Sequence, residues 1–222
     1  MRDLKTYILE GSLSSNKLDE SSILGGIDDI ITDGDVNAAR ILIQKFLEKN
    51  YVGDWIISEK SNNDGLYEVS SNVTIKVKNE KITSFTNDLF IWTSVKGDFN
   101  CYNCKSLKTL EGGPKKVGNN FDCSKCENLE SLNGAPEIVK GIFYCYNCNS
   151  LKTLEGAPKE VGNNFDCSKC ENLESLNGAP EIVKGIFYCY NCNSLKTLEG
   201  APKEVGNNFD CSKCENLESL NG

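Results

Sequence analysis

Twelve cysteines are the residues of this chain with the most chemistry in them, and they fall in six Cys-x-x-Cys pairs 22 residues apart. The pairs are Cys101/Cys104, Cys123/Cys126, Cys145/Cys148, Cys167/Cys170, Cys189/Cys192 and Cys211/Cys214. Thiols at such spacing can ligate a metal, bridge as disulfides, exchange electrons or simply pack. Two successive pairs read Cys-x2-Cys-x18-Cys-x2-Cys, which fits a zinc ribbon. On that alternative the first ligands are Cys101, Cys104, Cys123, Cys126, Cys145 and Cys148. Against it, every copy carries the pair, and a metal tetrahedron at every second copy would distort a regular stack. The chain has no histidine. Phe and Leu flank each pair, an apolar setting that disfavours thiolate. Cysteine also packs as a small hydrophobe. The leading expectation is a set of reduced core thiols, with zinc and rung-to-rung disulfides as alternatives. The disulfide is geometrically open, because neighbouring rungs at about 4.8 Å lie within bridging range. A redox reading fails, since no βαβ unit surrounds any pair.

A fixed period of this length is the signature of a solenoid. The copies share Phe-x-Cys-x-x-Cys-x-x-Leu-x-x-Leu-x-Gly-x-Pro-x-x-Val-x-x-x, complete over 99–120, 121–142, 143–164, 165–186 and 187–208, with a sixth running to Gly222. Phe and the first Cys sit two apart, which is strand spacing with both side chains inward. Gly and Pro mark a turn, and Val returns to the core. One such coil cannot stand alone, because the entropy of fixing it exceeds what its few apolar groups return on burial. The expected fold is therefore a mainly β solenoid, a stack of 22-residue coils with a small α+β N-terminal cap.

The true unit is twice as long. Residues 117–160 and 161–204 are one identical 44-residue string, and 205–222 repeats 161–178. Identity this high marks either a very recent duplication or a designed array. Charge alternates between the two halves, in the columns Lys108, Glu130, Lys152, Glu174, Lys196, Glu218 and Lys115, Glu137, Lys159, Glu181, Lys203. Stacking would bring opposite signs together, which favours one register over a one-rung slip. The strand positions beside the first cysteine alternate too. Tyr102, Tyr144, Tyr146, Tyr188 and Tyr190 should point outward on some rungs, and Asp122, Ser124, Asp166, Ser168, Asp210 and Ser212 on the others. Tyrosine is enriched at interfaces, so this strand face is the candidate binding surface; strands also favour tyrosine for its own sake.

Composition changes before residue 99, where cysteine is absent. Residues 35–50 predict a helix capped by Asp35, with Val36, Ala39, Leu42, Ile43, Phe46 and Leu47 on one face. A shorter helix at 21–31 is weakened by Gly25-Gly26. Asp33-Gly34-Asp35 has the look of a calcium loop, yet Gln44 stands where the twelfth ligand should be. Strand-like runs follow at Trp55–Ile57, Leu66–Val69, Val73–Val77 and Ile82–Phe85. Counting back one period from Phe99 puts Val77 at the Phe position, Ile82 at the second Cys, Phe85 at the first Leu and Val95 at the Val. The expected organisation is a flexible or targeting N-terminus over 1–22, a cap over 23–76, a degenerate first coil over 77–98 and the repeats over 99–222.

The run Cys148-Asn149-Ser150-Leu151-Lys152-Thr153-Leu154, then Pro158, Val161 and Phe165, resembles BspA-like leucine-rich repeats, and that resemblance implies a leucine-rich-repeat-like, right-handed coil stack. The longer run through Leu-Lys-Thr-Leu-Glu-Gly-Ala-Pro-Lys-Glu-Val-Gly is similar to short repeat arrays of tailed-phage proteins. The departure is the first cysteine of each pair, where leucine-rich repeats carry an aliphatic residue. The start, Met-Arg-Asp-Leu-Lys-Thr-Tyr-Ile-Leu-Glu, resembles capsid-targeting N-termini of large tailed phages. That resemblance implies cleavage between Glu10 and Gly11 by a prohead protease; the plain alternative is a frayed helix before a Ser-rich linker.

Composition also excludes. The formal net charge is −8, and the basic columns are diluted by acidic ones, which argues against nucleic acid. Without histidine there is no Ser/His/Asp or Cys/His arrangement, and no phosphate-cradling Gly loop occurs. No apolar run has the length of a signal peptide or a membrane span. The expectation is a non-enzymatic interaction or structural protein without cofactor or membrane partner, cytoplasmic or in a virion, binding a protein or glycan. A zinc module is the alternative. The last rung, with Phe209, Cys211, Leu217 and Leu220, has no polar cap and is expected to pair weakly with a second copy.

Overall fold

The computed structural model describes residues 36–59 and 61–221. It is a β-solenoid of about 7 turns, with one helix among the described residues, α1 (Val36–Asn50). Each repeat contributes two very short strands. The Phe strands are β6 (Phe99–Asn100), β8 (Phe121–Asp122), β10 (Phe143–Tyr144), β12 (Phe165–Asp166), β14 (Phe187–Tyr188) and β16 (Phe209–Asp210). The Val strands are β7 (Lys116–Val117), β9 (Ile138–Val139), β11 (Glu160–Val161), β13 (Ile182–Val183) and β15 (Glu204–Val205). Each set pairs in parallel, in register, to give two eight-stranded sheets once the cap strands are added.

The core lies between these sheets. Phe, both cysteines, both leucines and Val of the four coils over 99–186 are at most a few per cent exposed. The phenyl rings stack nearly parallel down the axis, with successive centroids 5.7, 5.1, 5.2, 5.4 and 5.0 Å apart from Phe99 to Phe209. Outside the strands the rungs stay bonded, for example Cys145 N–H to the Asp166 carbonyl at 2.8 Å and Leu154 N–H to the Asn177 carbonyl at 2.8 Å. The backbone is thus paired around most of the coil, which a buried chain requires.

Two turns per rung are fixed by φ. In the Leu-x-Gly turn, Gly113 N–H donates to the Leu110 carbonyl at 3.0 Å, and Gly112, Gly134, Gly156, Gly178 and Gly200 all have φ between 79° and 90°. At Gly156 a Cβ would lie 2.3 Å from the Asn133 nitrogen of the rung below. Close approach and φ both demand glycine there. The other turn is Cys-x-x-Cys itself. Its third residue is left-handed on every rung, alternately Asn103, Asn147, Asn191 and Lys125, Lys169, Lys213, at φ of 56–61°.

The N-terminal end is closed by antiparallel strands. β1 (Tyr51–Val52) pairs with β4 (Ile75–Val77), and β2 (Ile56–Ile57) pairs with β3 (Tyr67–Ser71). α1 lies over them with Ala39, Ile43 and Leu47 buried, as the apolar face predicts. Tyr51 stands edge-on to Trp92 at 5.4 Å and near Phe99 at 6.4 Å, plugging the first rung. Asp35, the expected helix cap, lies outside the described residues, as do the 21–31 helix, the 33–35 turn and the start of the chain with Glu10 and Gly11.

The first coil departs from the counting. Ile75, not Val77, stands opposite Phe99, so this coil spans 24 residues (75 to 99) against 22 (99 to 121). Lys108 N–H donates to Thr83 as Glu130 N–H donates to Lys108, which gives Ile82 the first Leu position. Phe85 N–H donates to Glu111 as Leu110 N–H donates to Asn133, which gives Phe85 the second. Val95 faces Val117, as expected. The extra length sits between Phe85 and Val95, where Asn87 Oδ1 accepts from Leu89 and Phe90 N–H at 3.0 and 2.8 Å and holds a turn. Ile82–Phe85 is consequently turn, and the strand is β5 (Phe90–Val95).

Candidate functional site

The cysteines form a ladder of thiol hydrogen bonds. The second cysteine of a rung donates Sγ–H to the carbonyl of the first cysteine one rung back. Cys126 reaches Cys101, Cys148 reaches Cys123 and Cys170 reaches Cys145, each at 3.2 Å; Cys192 reaches Cys167 at 3.3 Å and Cys214 reaches Cys189 at 3.1 Å. The carbonyl concerned points into the core. Without the thiol it would be an under-satisfied buried acceptor. Cys123 and Cys167 also donate forward, to the Tyr144 and Tyr188 carbonyls at 3.3 Å. Cysteine suits the position because it is small and apolar yet carries one weak donor.

Burial and neighbouring thiols push these groups upward. Cys104 and Cys192 rise to about 12, chiefly by desolvation. Cys101, Cys123, Cys145, Cys167 and Cys170 are held well above the ordinary thiol range for the same reason. All twelve are free, and Cys211 on the last rung is the one not fully buried. Among the described residues no three Cys, Asp or Glu side chains converge where a metal ion could be held. Of the six candidate ligands, Cys126 and Cys148 turn to a backbone carbonyl one rung back instead of to a common centre, Cys123 turns to the Tyr144 carbonyl, and Cys101, Cys104 and Cys145 are buried in the same column.

The outward face of the Phe-strand sheet carries the expected tyrosines. Tyr102 is 38% exposed, and Tyr144, Tyr146, Tyr188 and Tyr190 are half-buried. They come as pairs on alternate rungs: Tyr144 meets Tyr146 edge-on with centroids 6.4 Å apart, and Tyr188 meets Tyr190 at 6.3 Å. Between them lie rungs of small residues, so the face is ridged. Asp122 and Asp166 are half-buried in the troughs. Asp166 Oδ1 accepts from both Ser168 N–H at 3.0 Å and Ser168 Oγ–H at 2.5 Å. Burial raises both carboxyls above the usual range; Tyr144 is raised by burial and then by the charges of Asp122 and Asp166.

One part of this face escapes sequence reasoning. Lys125 Nζ stands 5.2 Å over the Tyr102 ring and Lys169 Nζ 5.9 Å over Tyr190. The lysine occupies the left-handed turn position, and the signal that could reveal it is the Asn/Lys alternation at the third residue of Cys-x-x-Cys. On the opposite, Val-strand face, a shallow depression of about 500 Å³ opens at Gly162 between Lys140 and Lys184, beside Ile138. The charge columns pair as expected on several rungs, with Lys108–Glu130 at 3.8 Å, Lys152–Glu174 at 3.5 Å and Lys203–Glu181 at 2.8 Å. All are exposed, and solvent screening leaves them little weight in stability. No helix among the described residues is long and apolar enough to cross a membrane. Compared with known proteins, the chain matches no family model, no curated protein and no solved structure.

Proposed function

We propose that this chain is a non-enzymatic interaction protein whose tyrosine-ridged strand face binds a protein or glycan, in the cytoplasm or as part of a virion. The observation that carries the reading is the periodic set of outward tyrosine pairs, Tyr144/Tyr146 and Tyr188/Tyr190, on a rigid scaffold. Paired rings offer large contact area at low entropic cost, since half-burial and edge-on contact between them already restrict the side chains. The solenoid repeats that surface at fixed intervals, the usual basis of solenoid recognition. The virion part rests on the resemblance of residues 1–11 and of the repeats to phage proteins. The absence of histidine from the sequence supports the non-enzymatic part.

The test replaces one residue at a time by a photo-crosslinking amino acid, at Tyr146 on this face or at Ile138 on the other. Each protein is irradiated in extracts of the source cells or particles. Adducts are expected at 146 and not at 138, and they should fall when Tyr188→Ala is added. Equal labelling at the two positions would overturn the assignment of the face.

A further inference from the structure

We infer that the ligand of this face is an uncharged, linear β-1,4-linked glycan lying along the solenoid axis. This rests on the proposed binding role of the tyrosine face and names its substrate class. Charge is the first argument. The chain carries −8 overall, yet the face itself balances: Asp122, Asp166 and Asp210 stand against Lys125, Lys169 and Lys213. A basic or acidic partner would find no complementary field here, whereas a neutral ligand loses nothing.

Spacing is the second. Tyrosine pairs recur every second rung, or about 10 Å at the usual inter-strand distance. An extended β-1,4 glycan repeats by disaccharide, at close to this length, with successive sugars turned over. Its apolar ring faces would rest on the tyrosine ridges at each repeat, as aromatic side chains receive sugar faces by stacking. From Tyr102 to Tyr190 the face spans four rungs, about 19 Å, so four to six sugars cover it.

Hydrogen bonding is the third. In the trough between Tyr144 and Tyr188, both bonds to Asp166 go to Oδ1. Oδ2 is left to accept from hydroxyls, and Lys169 on the same rung offers a donor. A row of hydroxyls, each able to give and to take a hydrogen bond, meets both needs in every 44-residue unit. The face thus supplies aromatic floor, acceptor and donor in the same order at each step of the ligand.

The probes are purified cello- and chito-oligosaccharides of two to six sugars, with maltohexaose as an α-linked control, measured by calorimetry on the full chain. The hexasaccharide of at least one β-1,4 series is expected to bind about tenfold or more tighter than its disaccharide, because a second tyrosine station acts at high effective concentration. Tyr188→Ala should weaken it about tenfold, while Tyr188→Phe, which keeps the ring, stays within about threefold. Ile138→Ser, on the other sheet, should change nothing. Retained thiol protection in each variant shows that the coil is intact. Binding of neither β-1,4 hexasaccharide, equal binding of maltohexaose, or affinity independent of length would overturn the inference. If the hexasaccharides fail while crosslinking at 146 still depends on Tyr188, the glycan falls and the binding face stands; if crosslinking also loses its preference, both fall.

Discussion

The two cysteines of a pair are chemically identical and structurally unequal. The second donates to a buried carbonyl; the first, at Cys145, has no donor bond from sulfur in the structure. Replacing each by valine separates packing from hydrogen bonding. Cys145→Val adds about one methyl group to a fully buried site and should cost about 1–3 kcal/mol by overpacking alone. Cys170→Val removes the donor to the Cys145 carbonyl and should cost about 1–3 kcal/mol more. Denaturant unfolding checks both, and equal losses would contradict the thiol ladder. The raised thiols also set a pH dependence. An unfolded thiol ionises near 8.5, whereas the buried ones stay protonated to about 12 at Cys104 and Cys192. Above pH 8.5 the unfolded state binds fewer protons than the folded one, so stability falls as pH rises and is intact below. The denaturation midpoint should drop steadily between pH 8.5 and 11; a flat profile would mean the thiols are not buried as protonated groups.

At the scale of the element, the rung is defined by two tight turns and the strands between them are only two residues long. The Gly turn is the more exacting. At Gly156 a Cβ would meet backbone atoms of the rung below at 2.3–2.6 Å, and φ is 90°. Gly156→Ala should therefore cost more than about 2 kcal/mol, since strain and collision add, and thermal unfolding would read it as a clear drop in Tm. These turns were legible in the repeat, as were the inward Phe and Cys and the outward Tyr, because a fixed period averages out local ambiguity. The first coil was not. Its extra residues between Phe85 and Val95 shift Ile75 into the Phe position, and a count of 22 has no means of sensing an insertion held by the Asn87 side chain. The direction of each thiol escaped too, since carbonyl orientation is a property of the folded turn. So did the lysines over Tyr102 and Tyr190, which follow from the left-handed φ at Lys125 and Lys169.

The whole molecule is asymmetric end to end. Antiparallel β1 and β2, α1 and the Tyr51 plug cover the first rung, while the last leaves Phe209, Cys211 and Leu217 half-buried and Leu220 73% exposed. The same asymmetry makes the last rung the entry point for reagents. The Cys-x-x-Cys ladder is expected to be a reduced, protonated, metal-free core on which the outer face is mounted, and native thiol titration reads this out. In the folded protein without chelator, Cys211 should react quickly, and the other cysteines only at the rate of unfolding, with all twelve reactive in denaturant. Fewer than twelve reactive thiols in denaturant would reveal disulfides. Protection released by a chelator, with about one zinc ion per two rungs set free, would contradict the account.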